Sequence, residues 1–322
     1  MDNIISKITE ERNVKPTTLK TYKVGIKKIF DIFNDGNITD NFDFLKDTKK
    51  IMEILDKEKL TTRKNRVGLI LVLLGLDKDK YEKEIENYRE IAKDLRNDHD
   101  DFISTQKKTD KQEANWIDYK EFIKLINKYK RIFKNHNLKE AKVITKKQHQ
   151  LLQEYLFLIM YKDIPIRNVF HSIKIIDEKD YDEIRENHKG NWLILKEGVP
   201  YEIIIHEYKT DSKYGMKTIK LGKKKAIVNA LKIWLKHNKS GFLFTQLNDK
   251  TKPYNTNAFT RFVQGIFEKE YGKKIGTTLL RNIIISHEKK GQDTIKEKEE
   301  KKEKIENKYL HSAEMNDKYR KI

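Results

Sequence analysis

No cysteine occurs anywhere in this chain of 322 residues, so disulfides, thiolate catalysis and cysteine-type zinc sites are excluded together. Metal sites built from histidine find no support either, because no two of the nine histidines form an HxxxH pair. Long apolar runs are also missing. None approaches the ~18 residues of a spanning helix, and the opening "MDNIISKITEERN" lacks the apolar centre of a signal peptide. A soluble, unsecreted, intracellular protein is expected, with no membrane partner. Acidic residues are the scarcer charge: 50 Asp and Glu stand against 69 Lys and Arg, a formal net charge of +19. That balance favours an anionic polymer, nucleic acid first, over a small-molecule substrate.

The length suits two domains, each able to bury its own core. In "PTTLKTYKVGIKKIFDIF" the residues Leu19, Tyr22, Ile26, Ile29 and Phe33 share one helical face, entered through Pro16 and the Thr17/Thr18 pair. "DTKKIMEILDKE" predicts a further helix. "LTTRKNRVGLILVLLGL" predicts another, with Thr61 and Thr62 as caps and an apolar stripe ending near Gly75. The charged "KDKYEKEIENYREIAKDLRNDHDDF" completes a small all-helical domain over 1–105.

Hydrophobic period disappears in "STQKKTDKQEAN", so 106–115 is expected as a linker and 116–322 as the second domain. Strands are predicted at "NWLIL", "YEIIIHEY" and "MKTIKL", the last two joined by "KTDSKYG" with Gly215 as turn former. Helices flank them, from "HQLLQEYLFLIMYK" before to "KAIVNALKIWLKHN" and "NTNAFTRFVQGIFEKEYG" after. The expected class is α+β, mostly helical, with a small antiparallel sheet. The run 288–308 is low in complexity and charged, either a solvated helix or partly disordered.

Chemistry-bearing residues occur in a definite order in the second half. Arg167 follows Pro165 at a helix-breaking turn, Lys209 opens the hairpin loop, and Arg281 interrupts the apolar "LLRNIIISH". His311 and Tyr319 stand near the end in "HSAEMNDKYRKI". Cleaving a DNA strand without a metal requires a nucleophile, together with compensation for the charge that builds on the phosphoryl oxygens. Guanidinium groups supply that compensation bidentately.

With "KKTDKQEANWIDYKE", "PIRNV", "YKTDSKYG", "LLRNIIISH" and "HSAEMNDKYRKI" in this order, the chain resembles the tyrosine recombinases, or phage-type integrases. Those of large DNA viruses and their mobile elements are most similar. "TLKTYKVGIKKI" and "TTRKNRV" look like parts of the family's core-binding domain, and residues from about 116 onward like its catalytic domain.

The resemblance implies a site-specific recombinase acting on double-stranded DNA as a homo-tetramer, with no cofactor, metal or ATP. It implies that Arg167 and Arg281 clamp the non-bridging oxygens and that Tyr319 attacks phosphorus to leave a 3′-phosphotyrosine. Lys209 would protonate the departing 5′ oxygen, and His311 would donate a hydrogen bond to the phosphate. Lys213 competes with Lys209 for the first of these roles, and Tyr309 is the second candidate nucleophile. Arg167 also suits a helix-end cap, Arg281 a buried ion pair and His311 an ordinary surface position.

Two departures from the family pattern stand out. Thr278 occupies the place three residues before the second arginine, where a histidine or lysine is usual. The step from His311 to Tyr319 is one residue shorter than usual, which turns the phenol by ~100° on a helix. A DNA-binding protein on the same scaffold with impaired catalysis is the alternative reading. A basic scaffold binding RNA or DNA by charge alone leaves the ordered Arg, Lys, Arg, His, Tyr set unexplained.

Overall fold

The computed structural model describes residues 1–12, 14–186, 190–300 and 302. Residues 1–107, with 293–300 and 302, form one compact unit and 108–292 a second, so the described part of the segment after 292 groups with the first unit and not with the second, where it was expected.

The first unit is helical: α1 (Asp2–Glu11), α2 (Pro16–Phe33), α3 (Thr48–Leu55), α4 (Leu60–Leu74) and α5 (Glu82–Ser104). Pro16 occupies the first turn of α2, where its missing N–H costs nothing and its fixed φ suits the helix. Ile26, Ile29 and Phe30 then face a core shared with Val67, Ile70, Leu73 and Leu74 of α4. Thr61 and Thr62 lie inside α4; the residue before it is Lys59, which provides no side-chain cap. Two buried phenols tie the 41–45 segment to the rest. Tyr81 accepts from the Phe42 amide at 2.9 Å, and Tyr88 donates to the Leu45 carbonyl at 2.9 Å.

The second unit opens where a linker is expected, but 110–115 is helical: α6 (Asp110–Asn115). A reciprocal capping box starts it, in which Thr109 Oγ1 accepts from the Gln112 amide and Gln112 Oε1 accepts from the Thr109 amide. Asn115 Oδ1 then accepts from the Lys274 amide at 2.7 Å, which fastens the short helix to the same unit.

Next come α7 (Tyr119–Asn135) and α8 (Lys146–Asp163). Every residue of α8 from 152 to 161 is buried, so this helix is apolar nearly all round and forms the centre of the unit. Gln153 and Glu154, polar residues of that stretch, are paired. Gln153 exchanges two hydrogen bonds with the Thr245 backbone, and Glu154 accepts from Tyr129 Oη at 2.9 Å.

The sheet comprises β1 (Ile173–Asp177), β2 (Asn191–Lys196), β3 (Val199–Ile205) and β4 (Lys217–Lys220), in that spatial order. It is mixed rather than antiparallel throughout. β1, absent from the strands expected above, pairs parallel with β2. A parallel neighbour requires a crossover, and α9 (Glu178–Ile184) supplies it. Between β2 and β3, Glu197 and Gly198 both have positive φ (51° and 74°), the signature of a two-residue type I′ hairpin. Alternation along β2 and β3 sends Leu193, Ile203 and Ile205 into the main core. Trp192, Ile194 and Ile204 pack with Tyr181 of α9 on the other face.

After β3 the chain makes the single turn α10 (Asp211–Tyr214), enters β4, and continues as α11 (Lys225–His237), α12 (Thr256–Tyr271) and α13 (Thr277–Glu288). Of the charged run 288–308, residues 295–300 are helical, and 301 and 303–308 lie outside the described residues. Among the described residues no helix is long and apolar enough to cross a membrane.

Candidate active site

The site is organised by the last turn of α8. Pro165 prevents the helix from continuing, because it has no N–H to donate and disfavours helical geometry at the residue before it. Ile164 accordingly leaves the helix with φ −136° and ψ 67°. The loop that follows carries Arg167. Inside it Tyr161 Oη lies 2.7 Å from the Ile166 carbonyl oxygen and 2.6 Å from that of Thr277, the first residue of α13. One phenolic proton serves both acceptors. Burial pushes the Tyr161 pKa up, with the Arg281 charge pulling the other way, so the phenol stays protonated and able to donate.

Two further contacts hold this loop and the neighbouring strand end. Asn168 Nδ2 donates to the Thr256 carbonyl at 3.2 Å and to Thr260 Oγ1 at 3.1 Å, at the start of α12. The buried Asn191 amide donates to Ser172 Oγ and to the Glu207 carbonyl, and its oxygen accepts from the amides of His206 and Glu207. The start of β2 is thereby fixed to the exit of β3, where Tyr208 to Thr210 begin their turn.

These contacts bring Arg167, from the loop, and Arg281, from the second turn of α13, to one cavity of about 560 Å³. Ile166, Val169, Ile205 and Ile219 give it apolar walls; Tyr208, Thr210, Thr218 and Lys217 add polar groups. No carboxylate lines it, and neither arginine pairs with one among the described residues. The buried ion pair that would explain Arg281 structurally is therefore absent among those residues. Two guanidinium groups and an ammonium beside apolar walls repel one another more strongly than they would in bulk water. A bound anion relieves that repulsion, and guanidinium geometry matches phosphoryl oxygens bidentately.

Lys209 lies between two residues of the cavity wall but is itself exposed and outside the wall. Lys213 sits on α10, its Nζ 5.3 Å from the centroid of the Tyr214 ring. The lysine that does line the cavity is Lys217, which the sequence reading passed over. Alternation along β4 does not mark it, because Thr218, on the opposite face from Lys217 and Ile219, lines the same cavity. Thr278 is exposed in the first turn of α13 and lines a separate cavity with Gln264 and Asn282. His311, Tyr319 and the alternative Tyr309 lie outside the described residues.

No family model matches the chain, and no curated protein matches it significantly.

Proposed function

We propose that this protein is a DNA strand transferase that cleaves and rejoins double-stranded DNA through a covalent 3′-phosphotyrosine, as a site-specific recombinase or integrase does. One observation carries the reading. Arg167 and Arg281, far apart in the chain, line one cavity that contains a third cation and no carboxylate. Such a cavity suits a phosphodiester, whose transition state gains negative charge on the oxygens that the guanidiniums would hold. The excess of basic residues supports a polyanionic substrate.

In this reading Tyr319 Oη attacks phosphorus and gives up its proton to water, and the bond from phosphorus to the 5′ oxygen breaks. That oxygen takes a proton from a lysine, and the energy of the broken bond is kept in the phosphotyrosine. Attack by a 5′ hydroxyl then rejoins the strand. Lys209 is the donor that the resemblance implies, and the cavity wall favours Lys217. His311 contributes a hydrogen bond to the phosphate. The active assembly is a homo-tetramer on two duplexes.

The test uses duplexes nicked close to candidate cleavage positions, so that the short 5′ product diffuses away and the adduct accumulates. The parental protein shifts on a denaturing gel and loses affinity steeply with salt: six to ten phosphate contacts imply a ~10³–10⁵-fold loss between about 50 and 200 mM. Tyr319→Phe keeps the ring, binds DNA at parental affinity and forms no adduct, whereas Tyr309→Phe still forms it. An adduct with Tyr319→Phe would move the nucleophile. DNA binding without adduct by the parental protein would favour a binding protein with impaired catalysis.

A further inference from the structure

Beside the arginine cavity the chain presents two large apolar side chains to solvent. Tyr214 and Met216 are each 54% exposed and stand on either side of Gly215. Gly215 has φ 63° and ψ −168°, a conformation essentially confined to glycine. Hydrogen bonds define the turn. Tyr208 Oη donates to the Gly215 carbonyl at 2.7 Å, the Gly215 amide to Asp211 O at 2.8 Å, and the Tyr214 amide to Thr210 O at 3.1 Å.

Cations flank the Tyr214 ring, with Lys213 Nζ at 5.3 Å and Lys217 Nζ at 5.9 Å from its centroid. Lys217 also lines the cavity that holds Arg167 and Arg281, so ring and cavity share a wall residue. Isolated exposed apolar residues are ordinary on protein surfaces. Here an aromatic and a methionine are exposed two residues apart, and Lys213 and Lys217 lie close to the aromatic ring. The one carboxylate of α10, on Asp211, accepts from the Ser212 amide at 2.7 Å.

We propose that Tyr214 and Met216 form a wedge that enters a groove of duplex DNA and partly unstacks the base step beside the phosphate bound at Arg167 and Arg281. This rests on the DNA function proposed above. Charge complementarity selects the occupant. An apolar tip flanked by the two ammonium groups of Lys213 and Lys217 matches a stack of bases bordered by phosphates, and methionine and other apolar side chains are what architectural DNA-binding proteins insert between base steps. An aromatic face also stacks on any base, so the wedge needs no particular sequence. Unstacking one step kinks the duplex there, which would present one phosphate to the cavity out of a regular series.

The test uses the full-length protein and a short mixed-sequence duplex prepared as a set, with 2-aminopurine at successive steps and a terminal dye. Anisotropy of the dye reports binding, and 2-aminopurine fluorescence reports unstacking. Parental protein and Tyr214→Phe raise the fluorescence at saturation. The Tyr214→Ala, Met216→Ala double variant binds about fivefold or more weakly and produces no rise once saturated. Because both side chains are exposed, the double variant keeps the parental fold, and circular dichroism checks this. An equal rise with the double variant overturns the wedge. So does a parental complex seen by anisotropy with no rise at any step, which leaves the DNA function standing. Failure of the parental protein to bind the duplex at all overturns both.

Discussion

Tyr161 Oη lies 2.6 Å from the carbonyl oxygen of Thr277, joining the last turn of α8 to the first residue of α13. Its second acceptor is the carbonyl of Ile166, directly before Arg167. A single buried phenol therefore sets the spacing between the segments that carry the two arginines. Tyr161→Phe removes one oxygen, leaves two carbonyls short of a donor, and should cost about 1–3 kcal/mol of stability. Adduct formation should fall more than DNA affinity does, because misplacement of the clamp affects the transition state first. Thermal unfolding and single-turnover cleavage check this; a parental cleavage rate would show that the bond is dispensable for the site.

Arg281→Ala should slow adduct formation by roughly 10²–10³-fold while DNA affinity stays nearly parental. One donor is a small part of a large phosphate interface but a principal charge at the reacting phosphorus. Arg167→Ala should behave alike, and lysine at either place should rescue little, because it lacks the planar fork. Salt-matched binding and cleavage assays separate the two effects.

The proton donor can be identified through the leaving group. Lys217→Ala should slow cleavage of an ordinary substrate by about 10²–10⁴-fold. It should leave cleavage nearly parental on a substrate whose bridging 5′ oxygen is replaced by sulfur, since a thiolate leaves without protonation. Lys209→Ala should affect both substrates equally and mildly. Sulfur rescue confined to Lys209→Ala would return the role to that residue.

His149 is buried against Trp234, their ring centroids 4.8 Å apart, and burial, aided by the charges of Lys250 and His237, pulls its pKa down to about 4. The unfolded chain thus binds a proton here that the folded chain refuses, and stability must rise with pH across that interval. The contribution is complete above about 6.5 and is lost as pH falls towards about 4. The loss should be on the order of 1–3 kcal/mol. His149→Gln should flatten the profile in part; His171 and His237, also lowered by burial, keep the remainder. An unchanged slope in His149→Gln would show that His149 titrates normally.

Much of the helical framework was legible in the sequence. The faces of α2 and α4 follow from apolar period, because a helix that buries one side must repeat its apolar residues every three or four positions. The strands β2 and β3 were legible as short apolar runs rich in isoleucine and bounded by polar turns, a composition that suits strands buried on both faces. Local signals stopped short at α6, where the capping box of Thr109 and Gln112 outweighed a polar composition that suggests a linker. They stopped short also at β1, five residues whose pairing to β2 depends on the crossover through α9 and not on their own pattern.

The candidate site divides in the same way. Residue type and order nominated Arg167 and Arg281, since a charge in an apolar segment and one beyond a helix-breaking proline each require a reason. Their meeting at one cavity was decided by tertiary structure, through the bond of Tyr161 to Thr277 and the amides of Asn168 and Asn191, contacts between residues distant in the chain. Lys217 entered the wall and Lys209 stayed outside it because side-chain direction at a strand and its turn is fixed only when the sheet has its register. Sequence determines which groups are available and the local period that buries them. Which groups share a cavity depends on long-range contacts that no local pattern encodes.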